Sequence, residues 1–347
     1  MYRKKILVAI LLIGVVVGGI FAYTVYSSIF SPNTAFENEK AYLFIASEAS
    51  FDEVMEDIAP LLNDVNSFVE VAKRKGYITN VKPGHYTVKK GMNNNEIINS
   101  IRSSNTPVKV SFNNQERLEN LAGRIAGQIE ADSLTLLNTM RDPVFLKKHD
   151  LNAKTALSMY VPNSYELFWN CSAEEFRNRM LIEYKRFWNT NRIAKARTLK
   201  LTKSEVYTVA SIVQKETAKV DERPRVAGVY LNRIRKGMKL DADPTVIYAV
   251  KSVKNDWDME IKRVLFKDLE TVSPYNTYRN AGVPPGPIFM PDISSIDAVL
   301  NAERHNYYYF VANVERFGYH KFAKTLTQHN ANSAAYRRWI SKQGIKR

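Results

Sequence analysis

The sequence predicts an α+β protein hung on an N-terminal transmembrane helix, with a small α/β module ahead of a larger domain of mixed helices and strands. Three observations carry that prediction. Arg3-Lys4-Lys5 precedes an almost unbroken apolar run from Ile6 to Tyr26, which as a helix extends about 30 Å, enough to cross a bilayer. From Lys40 onward, short alternating segments are interleaved with short amphipathic ones. Beyond Leu201, three capped helical stretches follow one another with tight turns between them. The length of 347 residues leaves room for two or three domains, and 45% hydrophobic with 24% charged residues is a globular composition.

Taken in order, the apolar run over residues 6–28 is too long for the core of a cleavable signal peptide. It has no small-x-small cleavage site after Phe21 and no Cys that could be lipidated. An uncleaved signal anchor is expected, with residues 1–5 in the cytoplasm by the positive-inside rule and everything after Phe30 on the far side. Residues 29–39 read as a short polar linker (Ser31-Pro-Asn-Thr-Ala-Phe-Glu-Asn38). The α/β module spans residues 40–112. Ala41–Ala46 is a strand, Ser50 caps a helix from Phe51 to Leu61, and a second helix covers Val65 to Arg74. A turn, strand and turn over Lys82–Gly91 are followed by a short helix to Arg102, and Pro107–Phe112 alternates as a strand should. The second domain covers residues 113–347 and starts with a helix from Gln115 to Glu130. Residues 131–200 are mainly helical and rich in aromatics; Pro162–Trp169 reads as a loop, with Phe168 and Trp169 as core residues.

The formal net charge of +15 suits an anionic partner: a membrane surface, nucleic acid or an acidic wall polymer. Nucleic acid is excluded on pattern, since there is no zinc-finger spacing or RNP-like run and the Lys and Arg residues are spread along the chain. The one cysteine, Cys171, permits no internal disulfide and reads as a small buried hydrophobe. Phosphate-loop and serine-nucleophile signatures are absent.

Glu216 is the residue that points to chemistry. Thr202-Lys-Ser-Glu205 is a capping box that starts a helix. Val206, Val209, Ala210, Ile212 and Val213 then fall on one arc, with Ser204, Thr208, Ser211 and Lys215 opposite. Glu216 lies within the apolar arc. There it either pairs with a buried Arg or caps a neighbouring helix, or it serves as a general acid with a pKa raised by its low-dielectric surroundings. The next helix carries Pro224 in its first turn and stops at Gly237 after three basic residues; Asp243-Pro-Thr starts another in the same way.

Several short motifs in this region are specific in combination. Ala210-Ser-Ile-Val-Gln-Lys-Glu-Thr217, Leu231-Asn-Arg233 and Asp243-Pro-Thr-Val-Ile-Tyr248 are followed by Ser273-Pro-Tyr-Asn-Thr-Tyr278 and Gly282-Val-Pro-Pro-Gly-Pro-Ile288. Tyr307-Tyr-Tyr-Phe-Val311, His320-Lys-Phe322 and Thr325-Leu-Thr-Gln-His-Asn330 complete the order. In that order they resemble the MltG (YceG-like) family of endolytic murein transglycosylases, over roughly residues 40–345. Residues 82–102 also resemble a LysM-type module, which binds N-acetylglucosamine glycans; any small βα packing unit would read the same way.

The resemblance implies a lyase that cleaves the β-1,4 bond between N-acetylmuramic acid and N-acetylglucosamine inside nascent glycan strands. The product end is a 1,6-anhydro sugar, and the work is done beside the peptidoglycan synthases. The catalytic Glu of the family falls in Gln214-Lys-Glu216, where Gln214 cannot be an acid and Glu216 can. Tyr165 and Glu166 match the family's Tyr-Glu; Glu166 either orients substrate or Glu216, or closes a buried salt bridge. Tyr275, Asn276 and Thr277 either hydrogen-bond sugar groups or form a structural turn. Asp243 reads first as an N-cap and second as a site residue. Asn232 and Arg233 stand at a helix end that could line the cleft. His320 and His329 fit no metal-ligand spacing and read as hydrogen-bonded residues at the cleft edge, within reach of substrate. No metal and no cofactor are expected. One departure is Asp292, where relatives carry Gly, implying a regular turn or a left-handed residue.

Overall fold

The apolar run forms α1 (Tyr2–Phe30), a helix of 29 residues with none fully buried; its apolar side chains are exposed apart from Val25 and Ile29, which are half-buried, Ile29 against the core of the first unit. It is long and apolar enough to cross a bilayer. The computed structural model describes residues 2–342.

The chain divides into two compact units. The first comprises residues 1–110 together with 128–131 and 165–172. In chain order it contains β1 (Lys40–Ile45), α2 (Phe51–Ile58), α3 (Val65–Arg74), β2 (Gly84–Lys89) and α4 (Asn94–Ser103), and β3 (Val108–Phe112) starts at its end. Capping sets the helix starts. Ser50 and Asn93 each form a capping box with the Glu three residues on, and Asp64 accepts the Ser67 N–H. The helix expected to Leu61 breaks into a 3-10 turn at Ala59–Leu61, where Pro60 follows. β1 and β2 pair antiparallel, Leu43 opposite Tyr86, and alternation sends Leu43, Ile45, Tyr86 and Val88 into a core with Phe68, Ile97, Ile98 and Ile101.

Three expectations fail here. The polar linker is part of the fold. Asn33 is buried and its amide reaches Asp64 O and Asn94 Oδ1, while Pro32 and Thr34 bridge to Asn93 and Leu62. Side-chain amides satisfy the backbone there, so a polar composition does not mean a free tether. Residues 163–167 are β4 (Asn163–Leu167) rather than loop, pairing with β3. Phe168 is exposed rather than core, and Trp169 is half-buried with its ring against Phe44 at 5.2 Å.

The second unit comprises residues 111–127, 132–164 and 173 onward. It opens with α5 (Leu118–Ala126), shorter than expected because the Gln115 carbonyl takes the N–H of Met290 instead and Gly127 ends it. α6 (Ser133–Met140), α7 (Pro143–Lys148), α8 (Ala173–Phe187) and α9 (Thr190–Leu199) follow. α10 (Lys203–Glu216) runs through the core, with α9, α11 (Arg223–Arg235), α12 (Asp243–Lys254) and α14 (Ile293–Leu300) against it. α13 (Phe266–Leu269) is a single turn. β5 (Tyr309–Ala312) and β6 (His320–Ala323) form an antiparallel hairpin covered by α15 (Leu326–Lys342).

α10 is buried nearly all round. Besides the apolar arc, Thr208 and Ser211 are buried on the side expected to face water. Their hydroxyls bond back to the Ser204 and Thr208 carbonyls at 2.8 and 2.7 Å, so the polar face needs no solvent.

Candidate active site

α10 starts where the Thr202–Glu205 capping box places it, and its last residue is Glu216. Beyond it Thr217 turns extended, so the carboxyl projects from the end of a buried helix into a cleft of about 380 Å³. Larger cavities of about 780, 820 and 650 Å³ also occur in this unit, but none of the three is lined by Glu216, and chemistry outweighs size in choosing among them.

The hydroxyl of Tyr230, from α11, donates to Glu216 Oε1 at 2.8 Å. Glu216 keeps an opening to the cleft, yet protein surrounds the carboxyl closely enough that burial pushes its pKa up from 4.5 to about 7. The Tyr230 bond opposes that rise, the charge of Asp243 adds to it, and His320 and Arg233 oppose it more weakly. Sitting at the negative end of the α10 dipole works in the same direction as burial. The group is poised to hold a proton at neutral pH and release it.

Asp243 lines the same cleft, and Tyr278 donates to its Oδ1 at 2.7 Å. It is not an N-cap. Ala242 holds that position, with its N–H bonded to the Thr277 hydroxyl and its carbonyl taken by Thr245. Burial and Asp243 together raise the Tyr278 hydroxyl well above its ordinary value.

Arg233 lines the cleft as a clamp rather than a free cation. Its guanidinium spans the carbonyls of Tyr308, Lys239 and Leu240 and the carboxylate of Asp241, at 2.7–3.0 Å. Asn232, next to it, faces the 780 Å³ cavity instead, and its amide is taken by the carbonyls of His305 and Tyr307. His329 lines the cleft, stacked on Tyr309 at 5.3 Å. Burial and then Arg233 lower its pKa, and its buried Nδ1 meets no hydrogen-bond partner among the described residues.

His320 is spoken for by Glu222. Its Nδ1–H donates to Glu222 Oε2 at 2.8 Å, and its backbone N–H to Oε1 at 2.7 Å. The Thr217 hydroxyl donates to the same carboxylate at 3.1 Å, which ties the residue after Glu216 to β6. Burial works against the charged form of Glu222, but these bonds and the imidazole outweigh it and hold its carboxyl below the ordinary value.

Tyr275, Asn276 and Thr277 are buried and form a turn. Asn276 donates to the Leu269 and Thr271 carbonyls, Thr277 supports Ala242, and Tyr275 rests on Tyr248 at 4.7 Å. What the turn delivers to the cleft is the next residue, Tyr278. Tyr165, buried, and Glu166, exposed, lie on the β4 segment that belongs to the first unit. Gln214 accepts the Asp292 N–H at 2.5 Å and the Ser295 hydroxyl at 3.0 Å, anchoring α10 to the start of α14. Asp292 itself has φ −61°, a regular conformation that any residue adopts.

Sequence reasoning missed Tyr230, Tyr278 and Glu222. A signal existed for Tyr230: a buried carboxyl requires a donor, and Tyr230 is the hydroxyl on the buried face of the helix that follows.

The YceG-like family model matches residues 43–335. The chain is 29% identical over 342 residues to the endolytic murein transglycosylase of Bacillus subtilis strain 168, covering 92% of this chain and 91% of that protein. It is 27% identical over 297 residues to the endolytic murein transglycosylase of Streptococcus pneumoniae D39, covering 76% of this chain but 52% of the relative, about half its length. A solved YceG-like protein of Listeria monocytogenes superimposes with a TM-score of 0.55 at 29% identity, over 85% of this chain and 99% of that one. With the family model running through both compact units and across every residue of the Glu216 cleft, the chain belongs to the YceG-like family.

Proposed function

We propose that this chain is an endolytic murein transglycosylase, a lyase acting on peptidoglycan, with Glu216 as its single acid–base. The observation that carries the reading is the carboxyl at the cleft floor, with a hydroxyl donor on one oxygen and a pKa near neutrality. In this reaction Glu216 gives its proton to the oxygen of the β-1,4 bond between N-acetylmuramic acid and N-acetylglucosamine. The C1–O bond breaks, and its electron pair leaves with that oxygen. The glutamate then takes the proton of the muramoyl 6-hydroxyl as that oxygen bonds to C1. The products are a free 4-hydroxyl and a 1,6-anhydro end; no water is consumed and Glu216 is protonated again. Because the nucleophile belongs to the substrate, one carboxyl suffices. Asp243, across the cleft, raises the affinity of Glu216 for its proton and faces the positive charge that develops at C1.

In this reading α1 is a single-pass anchor with Arg3, Lys4 and Lys5 on the cytoplasmic side, and both compact units work outside the membrane. The substrate is a nascent glycan strand beside the synthases that extend it. The first unit, with its β1–β2 pair flanking α2 and α3, serves as the LysM-like glycan-holding module.

The presence of Asp243 in the same cleft favours one second reading, a two-carboxylate glycosidase. One experiment separates them. The full chain in detergent, beside Glu216→Gln, is incubated with uncrosslinked glycan strands and the product ends are weighed by mass spectrometry. Internal fragments with 1,6-anhydromuramic ends, absent from the variant, are the expected result. Hydrated reducing ends would establish the glycosidase, and an active variant would remove Glu216 from the chemistry.

A further inference from the structure

The two oxygens of Glu216 are not equivalent. Oε1 accepts the Tyr230 hydroxyl at 2.8 Å, and among the described residues no protein donor meets Oε2. Tyr230 is almost fully buried, and its ring is held edge-on against Phe310 at 6.0 Å and 87°. Phe310 itself lines the cleft, so the wall of the site sets the angle of the tyrosine.

The geometry points to Tyr230 as the positioning residue that gives the two oxygens their roles, keeping Oε1 an acceptor so that the transferred proton is carried on Oε2. This rests on Glu216 being the acid–base. If the proton sat on Oε1, Tyr230 would have to turn and accept it. Its own O–H would then be unpaired in a buried site, since it has no other acceptor among the described residues. The arrangement persists through both half-reactions. As the Oε2 proton passes to the glycosidic oxygen, negative charge spreads over the carboxylate and the Tyr230 bond strengthens. Oε2 is then free to take the 6-hydroxyl proton back. Burial, and then the charge of Glu216, raise the Tyr230 hydroxyl well above its ordinary value, so it remains a donor across the working pH range.

The test is the pH dependence of glycan cleavage by the full chain in detergent, for wild type, Tyr230→Phe and Glu216→Gln. Phenylalanine keeps the ring and its contact with Phe310 but removes the donor. The expected result is a fall in kcat of about tenfold to a hundredfold with KM little changed. The alkaline limb should also move to higher pH, because the acid has lost a bond that favours its ionisation. A fall in kcat with an unmoved limb would make Tyr230 merely structural and overturn the assignment, as would unchanged activity. Fluorotyrosine placed at position 230 gives a second route that preserves the fold. Its stronger donor should move the limb to lower pH, and an unmoved limb counts against the assignment. If Glu216→Gln stays active, the acid–base reading beneath it has failed; if that variant is inactive and Tyr230→Phe behaves as wild type, only the role of Tyr230 has failed.

Discussion

Glu216→Gln isolates what this carboxyl does to the fold. The folded chain keeps the Glu216 proton up to about pH 7, whereas an ordinary glutamate releases it near 4.5. Between those values the unfolded chain binds fewer protons than the folded one, so stability falls as pH rises through the window. Below it both states are protonated and the penalty is absent; above it both are ionised and the penalty is complete. At about 1.36 kcal/mol for each pH unit of separation, the full penalty is on the order of 3 kcal/mol. The opening to the cleft, through which water screens the charge, brings it to about 2 kcal/mol. Glutamine has the same shape, carries no charge at any pH, and keeps a carbonyl oxygen for the Tyr230 hydroxyl. Thermal unfolding of the full chain in detergent, followed by circular dichroism, should therefore show equal midpoints at pH 4.5. At pH 8 the variant should melt higher by about 4–8 °C, at roughly 2–4 °C per kcal/mol. A midpoint difference that stays the same from pH 4.5 to 8 would show that Glu216 is not desolvated and would remove the electrostatic basis for its role as an acid.

Asp243→Asn should move the alkaline limb of the cleavage profile to lower pH, because the Asp243 charge raises the Glu216 pKa, while Tyr278 keeps an amide oxygen to donate to. A limb that stays in place would mean this charge does not reach Glu216. Glu222→Gln should lower stability at pH 7 by about 3 kcal/mol, since it strands buried donors on Thr217 and His320. The Glu222 pKa is depressed in the fold, so its contribution is full above the ordinary carboxylate range and is lost as pH falls through the folded value. The difference between variant and wild-type thermal midpoints should therefore close in acid, and equal midpoints at pH 7 would refute the pairing. Gly228→Ala should destabilise by about 1–3 kcal/mol despite alanine's better helix propensity. Its Cβ would lie 2.5 Å from the Glu303 carbonyl and 2.6 Å from His305 Nε2; a higher melting temperature would show that this segment can yield.

What was legible in the sequence was local. The capping residues Ser50 and Thr202 placed two helix starts because a cap is written within four residues. Glu216 was legible for the same reason, since the arc it interrupts lies within its own helix. The errors share one cause, which is that a side-chain donor is assigned by whichever acceptor reaches it in space. Asn232 looked available to the cleft, but the His305 and Tyr307 carbonyls take its amide, and of the two readings open for Asn276 the structural turn is the one found. The linker at Asn33 was misread for the same reason, its amide being held by Asp64 and Asn94. Asp243 looked like a cap, but Ala242 holds that position, its N–H bonded to the Thr277 hydroxyl and its carbonyl to that of Thr245. Relieved of capping, Asp243 is available to the cleft, where Tyr278 meets it. Two carboxyls of the cleft, Glu216 and Asp243, are thus each met at one oxygen by a tyrosine hydroxyl, with no second hydrogen bond to either among the described residues.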